Sequence, residues 1–202
     1  MDNPSDAAAA PYGPPVSAAV PNYRWSVDAF VRAWEADAFD ARVELVEGEV
    51  WPVVIGDWHG DAFFRLVGLL GNLGLTGTTS TLPSGASLPD PDLWLRRPGA
   101  VPSGTLGSRL STWSSSDVLL VVEVSDETLV ADLTTKARLY GSAGWPLYWV
   151  VSRDAVHVHS EPHAHGYRFR VEYRRGDRLP VPGVDAEIAV DELIGAQASS
   201  GQ

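Results

Sequence analysis

The stretch that decides the fold is residues 117–151, "DVLLVVEVSDETLVADLTTKARLYGSAGWPLYWVV". Its first part, "DVLLVVEVS", is a continuous apolar run, which is typical of a central strand covered on both faces. The last part, "WPLYWVV", has the same character and predicts a second buried strand. The segment between them predicts a helix. The whole stretch is therefore expected to form a strand–helix–strand unit with a right-handed crossover.

The helix of this unit carries Lys136, the only lysine among fifteen lysine and arginine residues. An ammonium is a compact charge whose pKa can be moved, whereas a guanidinium is a planar fork that is always charged. One face of the predicted helix carries Leu129, Leu133, Lys136 and Tyr140. This stripe predicts that Lys136 faces the sheet.

Glu123 lies near the end of the first strand and is the predicted partner of Lys136. The chain runs roughly 10 Å past Glu123, and the helix returns about 10 Å before it reaches Lys136. The two side chains are therefore expected at the same level. A purely structural Lys–Glu pair fits this geometry equally well, as does a surface pair between Asp132 and Lys136.

A second carboxylate is predicted beside Glu123. The segment "PDPDLWL" places Asp92 at the start of a short strand over residues 92–95. Ligands of open α/β sheets bind beyond the carboxyl ends of strands, and a buried carboxylate is costly unless it is paired or bound to metal. Two carboxylates and a lysine predict a Mg²⁺ or Mn²⁺ site that could activate water and neutralise charge on a phosphodiester.

Composition narrows the possible partners. The chain has 202 residues and a net charge of −11, whereas nucleic-acid-binding proteins usually carry a basic surface. A local basic strip would have to overcome this repulsion, with a solvated hairpin as the alternative interpretation. The candidate strip comprises Arg168, Arg170, Arg174, Arg175 and Arg178. The absence of cysteine excludes disulfides, thiolate zinc sites and cysteine nucleophiles.

The remaining segments predict one domain over residues 23–195, between a disordered Ala/Pro-rich tail (1–22) and a flexible C-terminus (196–202). The domain is expected to begin with a helix capped by Ser26, followed by a hairpin turning at Glu47–Gly48 and a second helix. Residues 155–182 are expected to form one or two solvent-facing strands. No apolar run reaches the roughly 18 residues of a membrane span, and the acidic N-terminus is unlike a secretory signal, so the expected location is the cytoplasm.

Four histidines raise a separate possibility. Two imidazoles of an H-x-H pair on a strand share one face, and four nitrogens could hold zinc. The histidines concerned are His157, His159, His163 and His165. No acidic partner is fixed near them, and we favour no metal role for this cluster.

The order of these motifs resembles the Uma-two family of restriction endonuclease-like proteins, within the PD-(D/E)XK nuclease-like superfamily. The resemblance rests on "PD", "EVSDETLVADLTTKARLYGSAGWPLYWVV" and the hairpin "ELVEGEV", and it extends from about Ser26 to Ile194. It implies an α/β fold with a restriction-endonuclease-like core, in which helices flank a mixed β-sheet.

The resemblance also implies roles for individual residues. Asp92 and Glu123 would be catalytic metal ligands, with the Val124 carbonyl as a third ligand, and Lys136 would be the catalytic lysine. Glu44 and His59 match auxiliary positions. Glu44 would be a further ligand or a structural acid, and His59 would contact a phosphate or cap its helix. One departure is Ser125, which stands where the superfamily motif expects lysine, so the lysine has moved to the helix.

The expected function is Mg²⁺- or Mn²⁺-dependent endonucleolytic hydrolysis of DNA, with Lys136 orienting or deprotonating the attacking water. A homodimer is a candidate assembly, because nucleases that cut both strands often pair. The expected DNA contacts include Arg168, Arg170, Arg174 and Arg175. The alternative is a non-catalytic binding or assembly module that retains the nuclease-like fold. The acidic composition and the lack of a DNA-reading domain favour this alternative.

Overall fold

The computed structural model describes residues 23–196. The predicted disordered tail and the C-terminal residues from 197 onward lie outside the described residues. The helical segments are α1 (Val27–Glu35), α2 (Asp57–Asn72), α3 (Leu129–Ala131), a π-helical turn (Asp132–Lys136), α4 (Ala137–Ser142) and α5 (Val190–Ile194). The strands are β1 (Val43–Val46), β2 (Glu49–Pro52), β3 (Gly77–Thr78), β4 (Leu93–Arg96), β5 (Gly104–Leu106), β6 (Leu110–Thr112), β7 (Val118–Val124), β8 (Leu147–Val151), β9 (Ala155–His163), β10 (Gly166–Arg174), β11 (Arg178–Pro180) and β12 (Glu187–Ala189).

The central element is a six-stranded sheet in the order β10-β9-β8-β7-β4-β3. All seven residues of β7 are buried, as the apolar run predicts. Strands β7 and β8 pair in parallel, and the other pairs in this sheet are antiparallel. The strand–helix–strand unit is therefore present, and the predicted fold class, a mixed sheet flanked by helices, is confirmed.

Helices and loops cover the sheet on both faces. One face packs against α2 and α5, with Leu66, Leu70 and Leu193 in its core. The other face packs against α4, whose Leu139 and Tyr140 join Trp94 in a second core. Burial of large apolar side chains on both faces explains why β7 tolerates almost no polar residue.

Two local elements near the N-terminal side of the domain form as predicted. The Ser26 hydroxyl accepts a hydrogen bond from the backbone N–H of Ala29 and caps α1. Glu47 and Gly48 turn the β1–β2 hairpin with φ of 51° and 84°, as a two-residue turn of this twist requires. The hairpin is important for the site because β1 carries Glu44.

The expectation for residues 155–182 is wrong in part. Strand β9 is not solvent-facing but lies within the central sheet between β8 and β10. Its alternating pattern suggests one exposed face, yet His157 and His159 on that face are buried. His159 packs against the ring of Tyr148, which explains its burial. Strand β10 is largely exposed, as expected.

Strand β4 begins one residue later than predicted, at Leu93, so Asp92 immediately precedes it. Because β4 runs antiparallel to β7, the start of β4 lies beside the end of β7. Asp92 and Glu123 are thus brought together at the same end of these two strands. Within residues 23–196, no helix is long and apolar enough to cross a membrane.

Candidate active site

Lys136 lies in a cage of carboxylates. Its Nζ atom is 2.9 Å from Oε1 of Glu123 and 3.0 Å from Oε1 of Glu44. A third carboxylate oxygen, Oδ1 of Asp132, lies 3.9 Å away. Only 8% of the Lys136 surface is exposed to solvent. The structure therefore places Lys136 level with Glu123, as the chain geometry predicts, and adds two further acidic neighbours.

This surrounding keeps the lysine charged. Burial by itself would lower the pKa of Lys136, but the neighbouring carboxylates outweigh burial and raise the pKa above its ordinary value. Glu123 makes the largest of these contributions, followed by Glu44. The ammonium is therefore a fixed positive charge at neutral pH.

Glu123 is buried at the end of β7. Its Oε1 atom accepts hydrogen bonds from Lys136 Nζ at 2.9 Å and from the Tyr140 hydroxyl at 2.8 Å. Burial raises the pKa of Glu123 well above its usual value, Lys136 opposes that rise, and the nearby Asp92 carboxylate adds to it. Among the described residues, no donor contacts Oε2, the second oxygen of Glu123, which leaves that oxygen free for a ligand.

Asp92 is held by two protein donors. Its Oδ2 atom accepts the backbone N–H of Val124 at 2.7 Å, and its Oδ1 atom lies 2.9 Å from Nε2 of His59. The first bond ties Asp92 to the end of β7 next to Glu123. His59 does not cap its helix, since the N-cap residue of α2 is Gly56. Its imidazole instead orients the Asp92 carboxylate.

Glu44 links three segments of the chain. Its Oε1 atom contacts Lys136, and its Oε2 atom accepts the backbone N–H of Asp90 at 3.0 Å. Arg42, two residues away on the chain, donates to the side chain of Asp90. Glu44 thus anchors the loop before β4 to the lysine. Both oxygens already have protein partners, so the geometry favours the structural-acid interpretation of Glu44.

The π-helical turn places Asp132 and Lys136 on the same side of the helix. The Tyr148 hydroxyl donates to the Asp132 carbonyl at 3.1 Å, and the Thr128 hydroxyl donates to the Asp132 side chain at 2.6 Å. Burial raises the pKa of Asp132. The alternative of a surface pair between Asp132 and Lys136 is wrong in its location, because the two groups lie 3.9 Å apart but Asp132 is only 2% exposed. Such turns occur often at functional sites.

These side chains surround one cavity of about 400 Å³. The acidic and basic residues that line it are Glu44, His59, Asp90, Asp92, Glu123, Asp126, Glu127, Asp132 and Lys136. Val124 also lines it, which keeps its carbonyl a candidate ligand. Within residues 23–196, no three His, Asp or Glu side chains are arranged to hold a metal ion by themselves. A metal held here would need the backbone carbonyl or water to complete its shell.

Three arginines of the strip are paired with acidic residues. Arg174 pairs with Glu172, Arg175 with Asp191, and Arg178 with Glu187. Arg168 and Arg170 lie exposed on β10, which is three strands from β7, roughly 14 Å away at the usual strand spacing.

The four histidines do not converge. His157 and His159 are buried in β9, whereas His163 and His165 lie at the turn into β10. Like the rest of residues 23–196, this region contains no group of three His, Asp or Glu side chains that could hold a metal ion.

Sequence reasoning missed the burial of Asp132 beside Lys136 and the roles of two tyrosines. Tyr140 was expected on the inward stripe, but its hydrogen bond to Glu123 was not foreseen. The apolar run predicts Tyr148 only as a strand residue, yet its hydroxyl reaches the π-helical turn. The available signal was the same for both, since a buried tyrosine needs a partner for its hydroxyl.

Comparison with known proteins identifies the family and the fold of the chain. The sequence model of the Uma2 family, described as "Putative restriction endonuclease", matches residues 27–191. The chain belongs to the Uma2 family. The match includes every acidic residue of the cavity, together with His59 and Lys136. No curated protein sequence matches the chain significantly.

A solved structure has the same fold as this Uma2 protein. It is described as a putative nuclease belonging to DUF820 from Anabaena variabilis. The sequences are 12% identical, the TM-score is 0.61, and the alignment covers 84% of this chain and 97% of the other. At this identity the likeness shows the fold alone, a nuclease-like mixed sheet with flanking helices.

Proposed function

We propose that this Uma2 protein is a Mg²⁺-dependent endonuclease that hydrolyses DNA phosphodiester bonds. One observation carries the proposal. The only lysine of the chain lies 2.9 Å from Glu123, in a cavity that Asp92 also lines. Membership of a family described as "Putative restriction endonuclease" supports the same reaction class.

The chemistry of the donors fits a hard divalent cation. Asp92, the free oxygen of Glu123 and the Val124 carbonyl would hold it, and Mg²⁺ commonly binds through one or two carboxylates with water completing its shell. A bound Mg²⁺ would lower the pKa of a water molecule and neutralise charge on the scissile phosphate. Mn²⁺ prefers the same oxygen ligands.

The role of Lys136 follows from its charge. Because the surrounding carboxylates raise its pKa, Lys136 is an ammonium at neutral pH and cannot take a proton from water. We therefore assign it to orienting the attacking water and stabilising negative charge on the phosphate, rather than to deprotonation. Positioned charges of this kind are among the largest contributions to catalysis.

The other residues position these groups. Glu44 holds the ammonium at 3.0 Å, and Tyr140 fixes the Glu123 carboxylate by donating to Oε1, which leaves Oε2 without a donor among residues 23–196. His59 orients Asp92. An Asp92 carboxylate that rotates to bind metal would release its hydrogen bond from His59, so the imidazole becomes available to the phosphate.

A cleavage assay on supercoiled and linear DNA with Mg²⁺ or Mn²⁺ tests the proposal. Wild type should cut, and Asp92→Asn should not. Asp185→Asn is the matched control, because it removes the same charge at an exposed position outside the cavity and should cut like wild type. Metal-dependent cutting by Asp92→Asn at the wild-type rate would contradict the proposed site.

A non-catalytic binding module is the second candidate, and one observation favours it. Both oxygens of Asp92 and both oxygens of Glu44 already have partners within the protein. A cavity whose acids are satisfied internally can be a structural network that never binds metal. Calorimetry distinguishes the two, since only the nuclease requires Mn²⁺ or Mg²⁺ to bind at this site.

A further inference from the structure

A second concave surface lies on the flank of the π-helical turn that faces away from the carboxylate cavity. It is a groove of about 270 Å³ between the turn, α4 and β10. Leu133 and Thr134 of the turn line this groove, whereas Asp132 and Lys136 of the same turn line the cavity. One short helical segment thus separates the two sites.

The groove is basic although the chain as a whole is acidic. Arg168 and Arg170 line one wall, and His159 and His165 contribute imidazoles. Strand pairing sets Arg170 directly opposite His159, so their side chains project from the same face of the sheet. Arg138 lines the helical wall.

Arg168 and Arg170 differ from every other arginine of the chain. All fourteen arginines lie within residues 23–196, and twelve of them form a hydrogen bond, an ion pair or a cation–π contact there. Arg168 and Arg170 form none with the described residues. Two unpaired guanidinium groups beside each other in a protein of net charge −11 indicate an anionic ligand.

The nearby acids do not neutralise this pair of charges. Glu172 follows Arg170 on the same strand face, but Arg174 and His157 already contact its carboxylate. Glu161, on the turn side of β9, is exposed and forms no ion pair within residues 23–196. The groove therefore retains a net positive charge.

We propose that this groove, formed by the guanidinium groups of Arg168 and Arg170, binds the phosphodiester backbone of nucleic acid. The proposal rests on the nuclease function proposed above and extends it by giving the path of the substrate. A helix with its side chains is about 10 Å across. That width matches about three nucleotides at 3.4 Å per nucleotide of one strand. The roughly 14 Å between β10 and β7 corresponds to about four nucleotides at the same spacing, so we expect the bound phosphate about three to four nucleotides from the bond that is cut.

Fluorescence anisotropy of a labelled DNA duplex in EDTA measures binding without cleavage. The double variant Arg168→Ala/Arg170→Ala should bind roughly tenfold or more weakly. Its plot of log affinity against log salt should flatten by about 1.8, since each lost phosphate contact removes about 0.9. The matched control is Arg174→Ala/Arg178→Ala, which removes the same charge from paired arginines near the same strand and should retain most of the affinity.

Three results would overturn the proposal. They are undetectable binding by wild type, equal weakening by both double variants, and an unchanged salt slope for Arg168→Ala/Arg170→Ala. Equal weakening would mean that only overall charge matters. Circular dichroism melts of both double variants exclude loss of fold, because all four side chains are exposed.

A cleavage assay with Mg²⁺ separates this proposal from the nuclease function. If both hold, Arg168→Ala/Arg170→Ala raises KM and leaves kcat near wild type. Substrates with fewer than about three nucleotides on the groove side lose that difference. DNA binding that depends on the groove without any cleavage would refute the nuclease and keep the groove. Cleavage with unchanged KM in the variant would refute the groove and keep the nuclease.

Discussion

At the residue scale, Lys136 shows why a chain rich in arginine uses lysine once. The space around its Nζ is closed by Glu44 and Glu123, at 3.0 and 2.9 Å, inside the core. A guanidinium is wider and planar, so it cannot approach both oxygens in the same space. A compact ammonium is therefore the cation that fits between these two carboxylates.

Exchange of this lysine for arginine tests its role. Lys136→Arg keeps the positive charge but displaces it. The rate of metal-dependent cleavage should therefore fall by at least about a hundredfold, the usual effect of removing one hydrogen-bond donor that stabilises the transition state. Cleavage kinetics measure this effect. The reverse exchange at an exposed pair outside both the cavity and the groove, Arg32→Lys beside Asp28, is the control and should cut normally. Wild-type activity in Lys136→Arg would refute the assigned role.

Removal of the charge should also destabilise the fold. Lys136→Met leaves Glu44 and Glu123 buried without their cation, which typically costs about 3–5 kcal/mol. Urea denaturation measures that loss, and Glu44→Gln added to Lys136→Met should recover part of it. A Lys136→Met protein as stable as wild type would show that the carboxylates are neutral in the folded protein.

His159 should make stability depend on pH. Burial, with smaller contributions from Arg170 and His157, lowers the pKa of His159 from 6.5 to about 4. The unfolded chain therefore binds more protons between these values, and stability is lost as pH falls from about 6.5 to about 4. The loss is on the order of 3 kcal/mol, at 1.36 kcal/mol per pKa unit.

Urea denaturation at several pH values measures this dependence. His159→Phe retains a ring between Tyr148 and Tyr167 and should flatten the curve below pH 6.5. His163→Phe, at the partly exposed turn, is the control and should keep the wild-type slope. An unchanged slope in His159→Phe would assign the acid sensitivity to other groups.

At the scale of elements, the β7–helix–β8 unit was predictable because apolar runs and chain lengths determine it. Those same quantities placed Lys136 opposite Glu123. The π-helical turn was not predictable, because helical periodicity does not encode contacts from other elements, such as the hydrogen bond that the Tyr148 hydroxyl donates to the Asp132 carbonyl. The Asp132 side chain itself accepts from the Thr128 hydroxyl and lies 3.9 Å from Lys136 Nζ. Burial of β9 was missed because the pattern Ala155–His159 alternates like a half-exposed strand.

The packing of α4 against the β9–β10 hairpin depends on Gly141. A Cβ atom at this position would lie 2.2 Å from backbone atoms of Gly166. Gly141→Ala should therefore cost about 1–3 kcal/mol through overpacking. Gly68→Ala in α2, where a Cβ meets nothing within 4 Å, should gain up to about 1 kcal/mol from helix propensity. Urea denaturation measures the stability of both variants. A Gly141→Ala protein as stable as Gly68→Ala would contradict the close approach of α4 to Gly166.

At the scale of the whole molecule, the sheet brings together residues that lie far apart in the sequence. Glu44 comes from the β1–β2 hairpin, Asp92 from the start of β4, and Glu123 from the end of β7. Residue type and spacing indicated Asp92, Glu123 and Lys136. The hydrogen bonds that orient them, such as His59 to Asp92, depend on the three-dimensional path of loops that no periodicity encodes.

The charges that sum to −11 are unevenly distributed over the molecule. Many acidic residues concentrate around the cavity, whereas two unpaired arginines lie across the π-helical turn from it. Nucleic acid would therefore approach the groove by attraction and the cavity only when a cation neutralises it. Dependence of cleavage on divalent metal is an expected consequence of this distribution.

The melting temperature with and without Mn²⁺ tests the central claim most directly, because it requires no knowledge of the substrate. A ligand that binds only the folded protein adds about 2.7 kcal/mol at a concentration about 100 times its Kd. That gain raises the melting temperature of a domain this size by roughly 5–10 °C. Wild type and the control Asp185→Asn should show this rise.

Without Mn²⁺, the stability of Asp92→Asn should lie within about 1 kcal/mol of wild type, because an amide oxygen can still accept the hydrogen bond from the Val124 N–H. With Mn²⁺, its melting temperature should not rise. Glu123→Gln should also lose the rise, but with lower stability because Lys136 loses its nearest partner. Absence of any Mn²⁺ effect on wild type, or an undiminished effect on Asp92→Asn, would contradict a metal site formed by Asp92 and Glu123.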